Sequence, residues 1–261
     1  MRMPEAMGRW ALVTGASSGL GIEFARQLAF QGVNLVLTAR REAPMQELAA
    51  ALRSRHGIEV VVEALDLGQA SAAETLEGRL AERAITPDIL VNNAGFGVSD
   101  GFLDQDPARL RAMLNLNVVS LTELTYRFGR AMAARGHGRI LLVASMAAYM
   151  PTPRLAAYGA SKAFILSLGE ALNVELAGKV DVTVLSPGLM HTGFAEAAGY
   201  TAPEAAASTA LAPSEVARIG LKALIEGRPS VVAGRMNRTM ALATRLMSRH
   251  QQAKMILSMA G

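Results

Sequence analysis

Seven short apolar runs alternate with segments of helical periodicity, and that alternation is the strongest constraint on how this chain can fold. The runs are WALVTG (10–15), NLVLTAR (34–40), IEVVVEALD (58–66), DILVNNAG (88–95), GRILLVAS (138–145), KVDVTVLSPG (179–188) and PSVVAG (229–234). Between them, LGIEFARQLAFQ (20–31) carries apolar side chains at helical spacing and stops at Gly32, and APMQELAAALRSRHG closes at Gly57. Further helices are expected near 70–84, near 107–134 and around Tyr158. Strands that read as almost continuous Val, Ile and Leu are those buried on both faces of a parallel sheet. Right-handed crossovers then make one doubly wound sheet the natural assembly. An α/β fold is therefore expected, with a mostly parallel sheet of about seven strands and helices on both faces, followed by a C-terminal amphipathic helix. No repeat or linker marks a second domain, so residues 1–261 read as a single domain with a core over 8–234 and a basic extension over 235–261.

Composition removes several functional classes. Half the residues are apolar and 18% are charged, which supports a buried core. The absence of Cys eliminates disulfides, thiolate zinc sites and Cys nucleophiles together, and it fits a reducing compartment. MRMPEAMGRWALVTG lacks an apolar stretch before a small-residue cleavage site, so a cytoplasmic protein is expected. No uncharged apolar run reaches the ~18 residues of a membrane span. The net charge of +4 is unevenly placed: from Gly227 onward there are six basic residues and no acid, which leaves −2 over residues 1–226. No basic stripe interleaved with aromatics occurs elsewhere, so nucleic acid is not an expected partner. His56, His137 and His250 are scattered without ligand spacing, and no metal site is expected.

TGASSGLG (14–21) joins the first run to the first helix. Gly15 permits the sharp turn out of the strand, Gly19 lets backbone approach a phosphate, and Gly21 is expected to let the helix pack on the sheet. The helix N-terminus offers unpaired N–H groups to a pyrophosphate, and Ser17 and Ser18 add hydroxyl donors. Gly15, Ser17, Ser18, Gly19, Leu20 and Gly21 are thus candidate cofactor contacts in a dinucleotide-binding, Rossmann-type sheet. The end of the second strand meets the adenosine ribose in such sheets, where an acid selects NAD and an Arg accommodates the 2′-phosphate of NADP. Here Thr38 and Ala39 occupy the acid's place, and Arg40 and Arg41 follow. A guanidinium holds phosphate bidentately, so NADP(H) is the expected cofactor, with Arg40 the primary ligand and Arg41 a second.

In YGASK, Tyr158 and Lys162 stand four positions apart, on one face of a helix. The pair alone is a weak signal. Together with TGASSGLG, NNAG at 92–95, Asn117, Ser145 thirteen residues before Tyr158, and SPG at 186–188, it resembles the short-chain dehydrogenase/reductase family over about 8–234. A free Tyr has a pKa near 10, and an adjacent ammonium favours the phenolate. Tyr158 is expected to protonate the carbonyl oxygen in reduction, as hydride leaves the nicotinamide, and to take the proton back in reverse. Lys162 is also expected to bond the nicotinamide ribose, and Ser145, at a strand's carboxyl end, to polarise the substrate oxygen.

The resemblance implies further roles. Asp66 would hydrogen-bond the adenine with Leu67 beside it. Asn93, Ala94 and Gly95 would line the cofactor while Asn92 serves the sheet. Asn117 would hold a water in a proton relay from Lys162, with Asn115 the competing choice. Pro187 and Gly188 would shape a turn against the nicotinamide, with Met190 beside it and Thr192 on the carboxamide or a phosphate. Residues 193–212 correspond to a mobile substrate lid, and the family forms dimers or tetramers through helices flanking the central strands. A complete Tyr, Lys and Ser set leaves His191 no necessary catalytic part.

Ser145, Tyr158, Met146 and Phe194 are the candidate substrate contacts. Met190, Tyr200, Phe96 and Tyr149 can extend an apolar pocket for a lipophilic ketone or acyl group, although ordinary packing accounts for them equally well. Three readings stand for the basic, Met-rich segment 236–259: a helix on the body or a dimer partner, a membrane-surface helix, or a cap over a pocket for acidic acyl carriers. The best functional reading is carbonyl reduction or the reverse alcohol oxidation. A redox-inactive NADP-binding regulator, or an epimerase or dehydratase that retains its cofactor, is the alternative.

Overall fold

The computed structural model describes residues 7–190, 192–200 and 210–260. Its centre is one parallel sheet of seven strands in the order β3-β2-β1-β4-β5-β6-β7. The strands are β1 (Trp10–Thr14), β2 (Asn34–Ala39), β3 (Val60–Ala64), β4 (Pro87–Asn92), β5 (Arg139–Val143), β6 (Asp181–Ser186) and β7 (Ser230–Val232). The order reverses direction at β1, and the switch between β1 and β4 opens the crevice where such sheets bind ligands.

The continuous apolar character of the strands has a direct packing reason. Successive side chains leave a strand on opposite faces, so a sheet covered twice needs apolar residues at every position. Ala11 and Val13 enter one core with Phe24 and Leu28 of α1 (Gly19–Phe30) and Leu48 of α2 (Glu42–His56), together with Leu221 of the helix Pro213–Ile225. Leu12 between them enters the other core with Leu76 of α3 (Ala72–Glu82), Leu124 of α5 (Leu121–Arg135) and Ile165 of α6 (Ala156–Glu175).

Two helical segments differ from the sequence expectation. The single helix near 107–134 is three pieces: α4 (Pro107–Leu114), a π-helical turn over Asn115–Ser120, and α5. Asp106 caps α4 by accepting a hydrogen bond from the Ala108 N–H at 2.9 Å, and Pro107 occupies the first turn. The C-terminal extension is not one helix. A helix over Arg235–Ala243 ends in a 3₁₀ turn at Thr244–Leu246, and a second begins at Arg249. Ser248 and Gln251 form a reciprocal cap there: the Ser248 N–H donates to Gln251 Oε1 at 3.0 Å, and the Gln251 N–H donates to Ser248 Oγ at 3.3 Å. Gln252, 3% exposed, ties the two helices by donating to the carbonyls of Thr244 at 2.6 Å and Met247 at 2.9 Å.

Candidate active site

At the carboxyl ends of the central strands the chain leaves the sheet through loops that bond to one another. The Ala144 N–H donates to the Leu185 carbonyl and the Met146 N–H to the Pro187 carbonyl, each at 2.8 Å, so the segments after β5 and β6 run on side by side. Ser145 sits in extended backbone at the start of a 3₁₀ turn over Met146–Ala148, and its Oγ accepts from the Ala147 N–H at 3.2 Å. That turn lies against α6, which carries Tyr158 and Lys162.

Both side chains are buried, Tyr158 at 7% and Lys162 at 4% exposure. The Ser145 hydroxyl neighbours the Tyr158 phenol. Burial pushes that phenol up to about 12, with the nearby Ser145 hydroxyl pulling the other way. Lys162 donates to the Val143 carbonyl at 2.9 Å and lies 5.7 Å from the Tyr158 ring centroid, and burial lowers it to about 8. The sequence expectation was a phenol drawn toward phenolate by the ammonium. The structure has the opposite balance, because removing both groups from water favours their neutral forms.

Asn117 lies inside the π-helical turn and is fully buried. Its Oδ1 accepts from the Phe96 N–H at 3.2 Å, and its Nδ2 donates to the Phe96 carbonyl at 3.0 Å and to Ser161 Oγ at 3.2 Å. The side-chain amide thus positions the segment after β4. Gly95 shows how tight that segment is: a Cβ there would stand 2.8 Å from Asn117 Oδ1 and 3.5 Å from Lys162 Nζ. Small residues in YGASK have a similar reason, since a Cβ on Gly159 would strike the Thr152 side chain.

The glycine loop abuts the same segment. A Cβ at Gly15, which has φ +68°, would come within 2.9 Å of Asn93 Nδ2 and 3.1 Å of Ala94 Cα. Gly21 acts differently from the sequence expectation. A Cβ there would run into the Gly15 carbonyl, so its bareness lets the loop close on itself. Thr14, which sequence reasoning passed over, joins the two loops: its buried hydroxyl accepts from the N–H groups of Asn93 at 2.9 Å and Ala94 at 2.8 Å. Its place as first residue of TGASSGLG, at the end of an inner strand, was the available signal. Asn92 donates to the Leu121 carbonyl at 3.0 Å and anchors β4 to α5.

Around the loop stand the other candidate cofactor contacts. Ser18 precedes α1 without using its side chain as a cap. Arg40 is exposed and has no ion pair or hydrogen bond among the described residues, whereas Arg41 donates to the Ser17 carbonyl at 3.2 Å and reaches its Oγ at 3.4 Å. Asp66 accepts from the Gly68 N–H at 3.0 Å and from Gln69 Nε2 at 3.3 Å, so its carboxylate also shapes its own turn. Leu20 and Leu67 are buried in the two cores, which leaves their backbones for any contact with a ligand. Thr192 lies against Gly19, and these two with Glu23, Arg26 and Ser214 line a concave opening beside α1.

Over Tyr158 the surroundings are apolar. Val98 and Met113 are buried with it, and Phe96, Leu110 and Leu155 pack on them; Leu110 and Leu155 carried no distinguishing sequence signal. Phe194, on a short helix over Phe194–Ala197, places its ring centroid 5.7 Å from that of Tyr158. A Cβ at Gly97 would lie 3.3 to 3.6 Å from Ala198, Tyr158 and Phe194, and the Ser99 N–H donates to the Ala198 carbonyl at 2.9 Å. Met146 is half-buried, as are Tyr149 and Tyr200, whose phenols burial pushes up. Met190 packs into the α1 side of the core and bridges to Leu211. His191 and residues 201–209 of the expected lid lie outside the described residues. Among the described residues no three His, Asp or Glu side chains converge on a point that would hold a metal.

Comparison with known proteins agrees with this geometry. A family model for short chain dehydrogenase matches residues 9–202. The chain is similar to a 7β-hydroxysteroid dehydrogenase of Collinsella aerofaciens, at 32% identity over 242 residues, covering 91% of this chain and 90% of that protein. It is similar to a very-long-chain 3-oxoacyl-CoA reductase of Podospora anserina, at 40% identity over 72% of this chain and 57% of that protein. Among solved structures, a short-chain dehydrogenase from Sphingobium yanoikuyae in complex with NADPH superposes with a TM-score of 0.81 and 30% identity, covering 91% of this chain and 93% of that one. The chain spans 32% to 58% of the length of several other curated relatives it matches.

Proposed function

The chain belongs to the short-chain dehydrogenase family of oxidoreductases, and we propose that it is an NADP(H)-dependent enzyme that reduces a lipophilic ketone or 3-oxoacyl group to a secondary alcohol, or runs the reverse oxidation. One observation carries this reading: Tyr158, beside Ser145 and Lys162, is buried at the carboxyl ends of the strands within a few ångströms of the segment that packs on the glycine loop.

The residues present fit the cofactor. The bareness of Gly15 and Gly21 lets the loop fold tightly against the segment after β4 and on itself, α1 begins beside it, and Arg40 is a cation without a partner among the described residues. Arg40 would hold the 2′-phosphate and Lys162 the nicotinamide ribose. NADPH, when bound, supplies the hydride that reaches the carbonyl carbon. Ser145 holds the carbonyl oxygen and polarises it. Tyr158 keeps its proton at neutral pH and releases it to that oxygen, because the alkoxide that forms there is the stronger base. The buried phenolate left behind is stabilised by the neighbouring Ser145 hydroxyl and by the charge of Lys162, whose Nζ lies 5.7 Å from the ring centroid. Ser145, Tyr158, Met146 and Phe194 would contact the substrate. The apolar surroundings of Tyr158, and the hydroxysteroid and very-long-chain 3-oxoacyl-CoA in the names of the relatives, support a bulky, lipophilic carbonyl.

The test is NADPH oxidation by the purified protein, followed spectrophotometrically over bulky ketones and 3-oxoacyl thioesters. Turnover of at least one of them, lost in Tyr158→Phe, is the expected result. No oxidation across the panel, or full turnover by the variant, would overturn the reading.

A further inference from the structure

The two C-terminal helices turn one face to the body and leave the other unpartnered. Asn237, Ala241, Thr244 and Gln252 are buried, and Asn237 packs so closely on Gly188 that a Cβ there would collide with it. The outward residues are not the polar set that a solvated face requires. Seven of the seventeen large hydrophobic residues exposed among the described residues lie between 236 and 257, with Leu242 at 54% and Leu246, at the turn between the helices, at 90%. A concentration of exposed large apolar side chains of this kind marks a contact surface.

The charges on the same face identify the contact. Arg235, Arg238, Arg245, Arg249 and Lys254 are all exposed, and none forms an ion pair with another described residue. No acid occurs from Gly227 to the end of the chain. Leu242 and Leu246 follow Arg238 and Arg245 by about one helical turn and one residue, so apolar side chains and unpaired guanidinium groups interleave on the outer surface. A second copy meeting this face about a two-fold axis would set five cations against the same five. A surface that is anionic outside and apolar beneath satisfies both sets at once.

We propose that residues 235–258 are a peripheral docking face for anionic phospholipid bilayers, with Leu242 and Leu246 entering the boundary between headgroups and acyl chains while Arg235, Arg238 and Arg245 pair with lipid phosphates. The proposed attachment is interfacial and reversible, as for other amphipathic surface helices; no helix among the described residues is long and apolar enough to cross a membrane. Through Asn237 and Gly188 the docked face is joined to the turn after β6 that borders the candidate active site.

The experiment is sedimentation of the full-length protein with sucrose-loaded vesicles of phosphatidylcholine, and with vesicles of equal parts phosphatidylcholine and phosphatidylglycerol. The protein is expected to pellet with the mixed vesicles, to stay in solution with the neutral ones, and to be released as salt is raised. Replacing Arg238 and Arg245 together by Gln should weaken binding about 25-fold, at about fivefold per cation near an anionic surface. The pair Leu242→Ser and Leu246→Ser should weaken it as well, with circular dichroism and NADPH turnover unchanged. The salt and lipid dependence of the unaltered protein decides the question even where a variant folds poorly. Equal binding to both vesicle types, binding to neither, or undiminished binding by the double Gln variant would overturn the proposal. So would a Leu variant that changes only the mass in light scattering, since that outcome assigns the face to a second copy.

Discussion

Lys162 and Tyr158 share a helix face but not a hydrogen bond: the ammonium donates to the Val143 carbonyl at 2.9 Å, and its charge reaches the phenol only through space, across 5.7 Å to the ring centroid. Val143 ends β5, so the lysine also staples α6 to the strand that leads into Ser145. One side chain thereby sets the electrostatics of the site and its geometry.

Removing the Tyr158 hydroxyl is expected to cost turnover without costing the fold. Tyr158→Phe keeps the ring contacts with Phe194 and Gly97 and should reduce kcat by about 10² to 10⁴, the range of a lost general acid. NADPH affinity, read by fluorescence titration, should stay within about threefold. A variant that loses cofactor binding together with turnover would show that the hydroxyl is structural.

The buried pair makes stability depend on alkaline pH in two opposite ways. Lys162 titrates near 8 when folded against 10.5 as the unperturbed value, so the unfolded chain binds the extra proton between those pH values and stability rises as pH increases through that window. Tyr158 titrates near 12 against 10, so the folded chain holds the extra proton above pH 10 and stability falls there. Lys162→Met should be more stable than the parent below pH 8, by on the order of 2–4 kcal/mol, and the difference in Tm should shrink as pH rises toward 10. A difference that stays constant across that range would contradict the assignment.

Arg40 and Arg41 should separate in cofactor titrations. Arg40→Asp replaces an unengaged cation with a repelling charge and should weaken NADPH by about 100-fold while leaving NADH within a few-fold. Arg41→Ala should cost less, because that guanidinium is already bonded to Ser17. Equal losses of NADPH and NADH would remove Arg40 from the phosphate site.

Gly21→Ala should disable cofactor binding from inside the loop. Its Cβ meets the Gly15 carbonyl, so either the turn opens or the start of α1 shifts, at about 1–3 kcal/mol of stability. Isothermal titration should then detect no NADPH binding at concentrations that saturate the parent, while the circular dichroism spectrum is retained.

Gln252→Ala should loosen the C-terminal pair of helices. The substitution leaves the carbonyls of Thr244 and Met247 without their donor, at about 1–3 kcal/mol. Hydrogen exchange is expected to speed up over 235–258 with the sheet unaffected. Exchange that is unchanged there would mean that packing through Asn237 and Ala241 alone holds the segment.

Helix and strand periodicities are local, and the chain's pattern accordingly marked all seven strands, α1, α2 and α3 within a few residues. The Ser145, Tyr158 and Lys162 candidates were legible through the resemblance of the surrounding motifs to the short-chain dehydrogenase/reductase family, since the Tyr-x-x-x-Lys spacing alone is weak. The division of the C-terminal segment was written in SRHQ (248–251) as a Ser-x-x-Gln cap, and the helical amphipathicity on either side concealed it. The π-helical turn had no such signal. It accompanies Asn117 clasping the backbone of Phe96, a contact between residues 21 positions apart that only the folded sheet creates.

By itself, then, the sequence determined the element order, the parallel class of the sheet and the candidates for its chemistry, because periodicity, turn residues and side-chain functionality all act at short range. Tertiary structure decided what those groups experience. Burial reversed the expected tendency of Tyr158, closure onto Gly15 gave Gly21 its role, packing withdrew the Leu67 side chain into the core, and the docking of Asn237 on Gly188 brought the C-terminal helices to the edge of the site. Desolvation and steric contact depend on which distant segments arrive at the same place, and no local pattern encodes that.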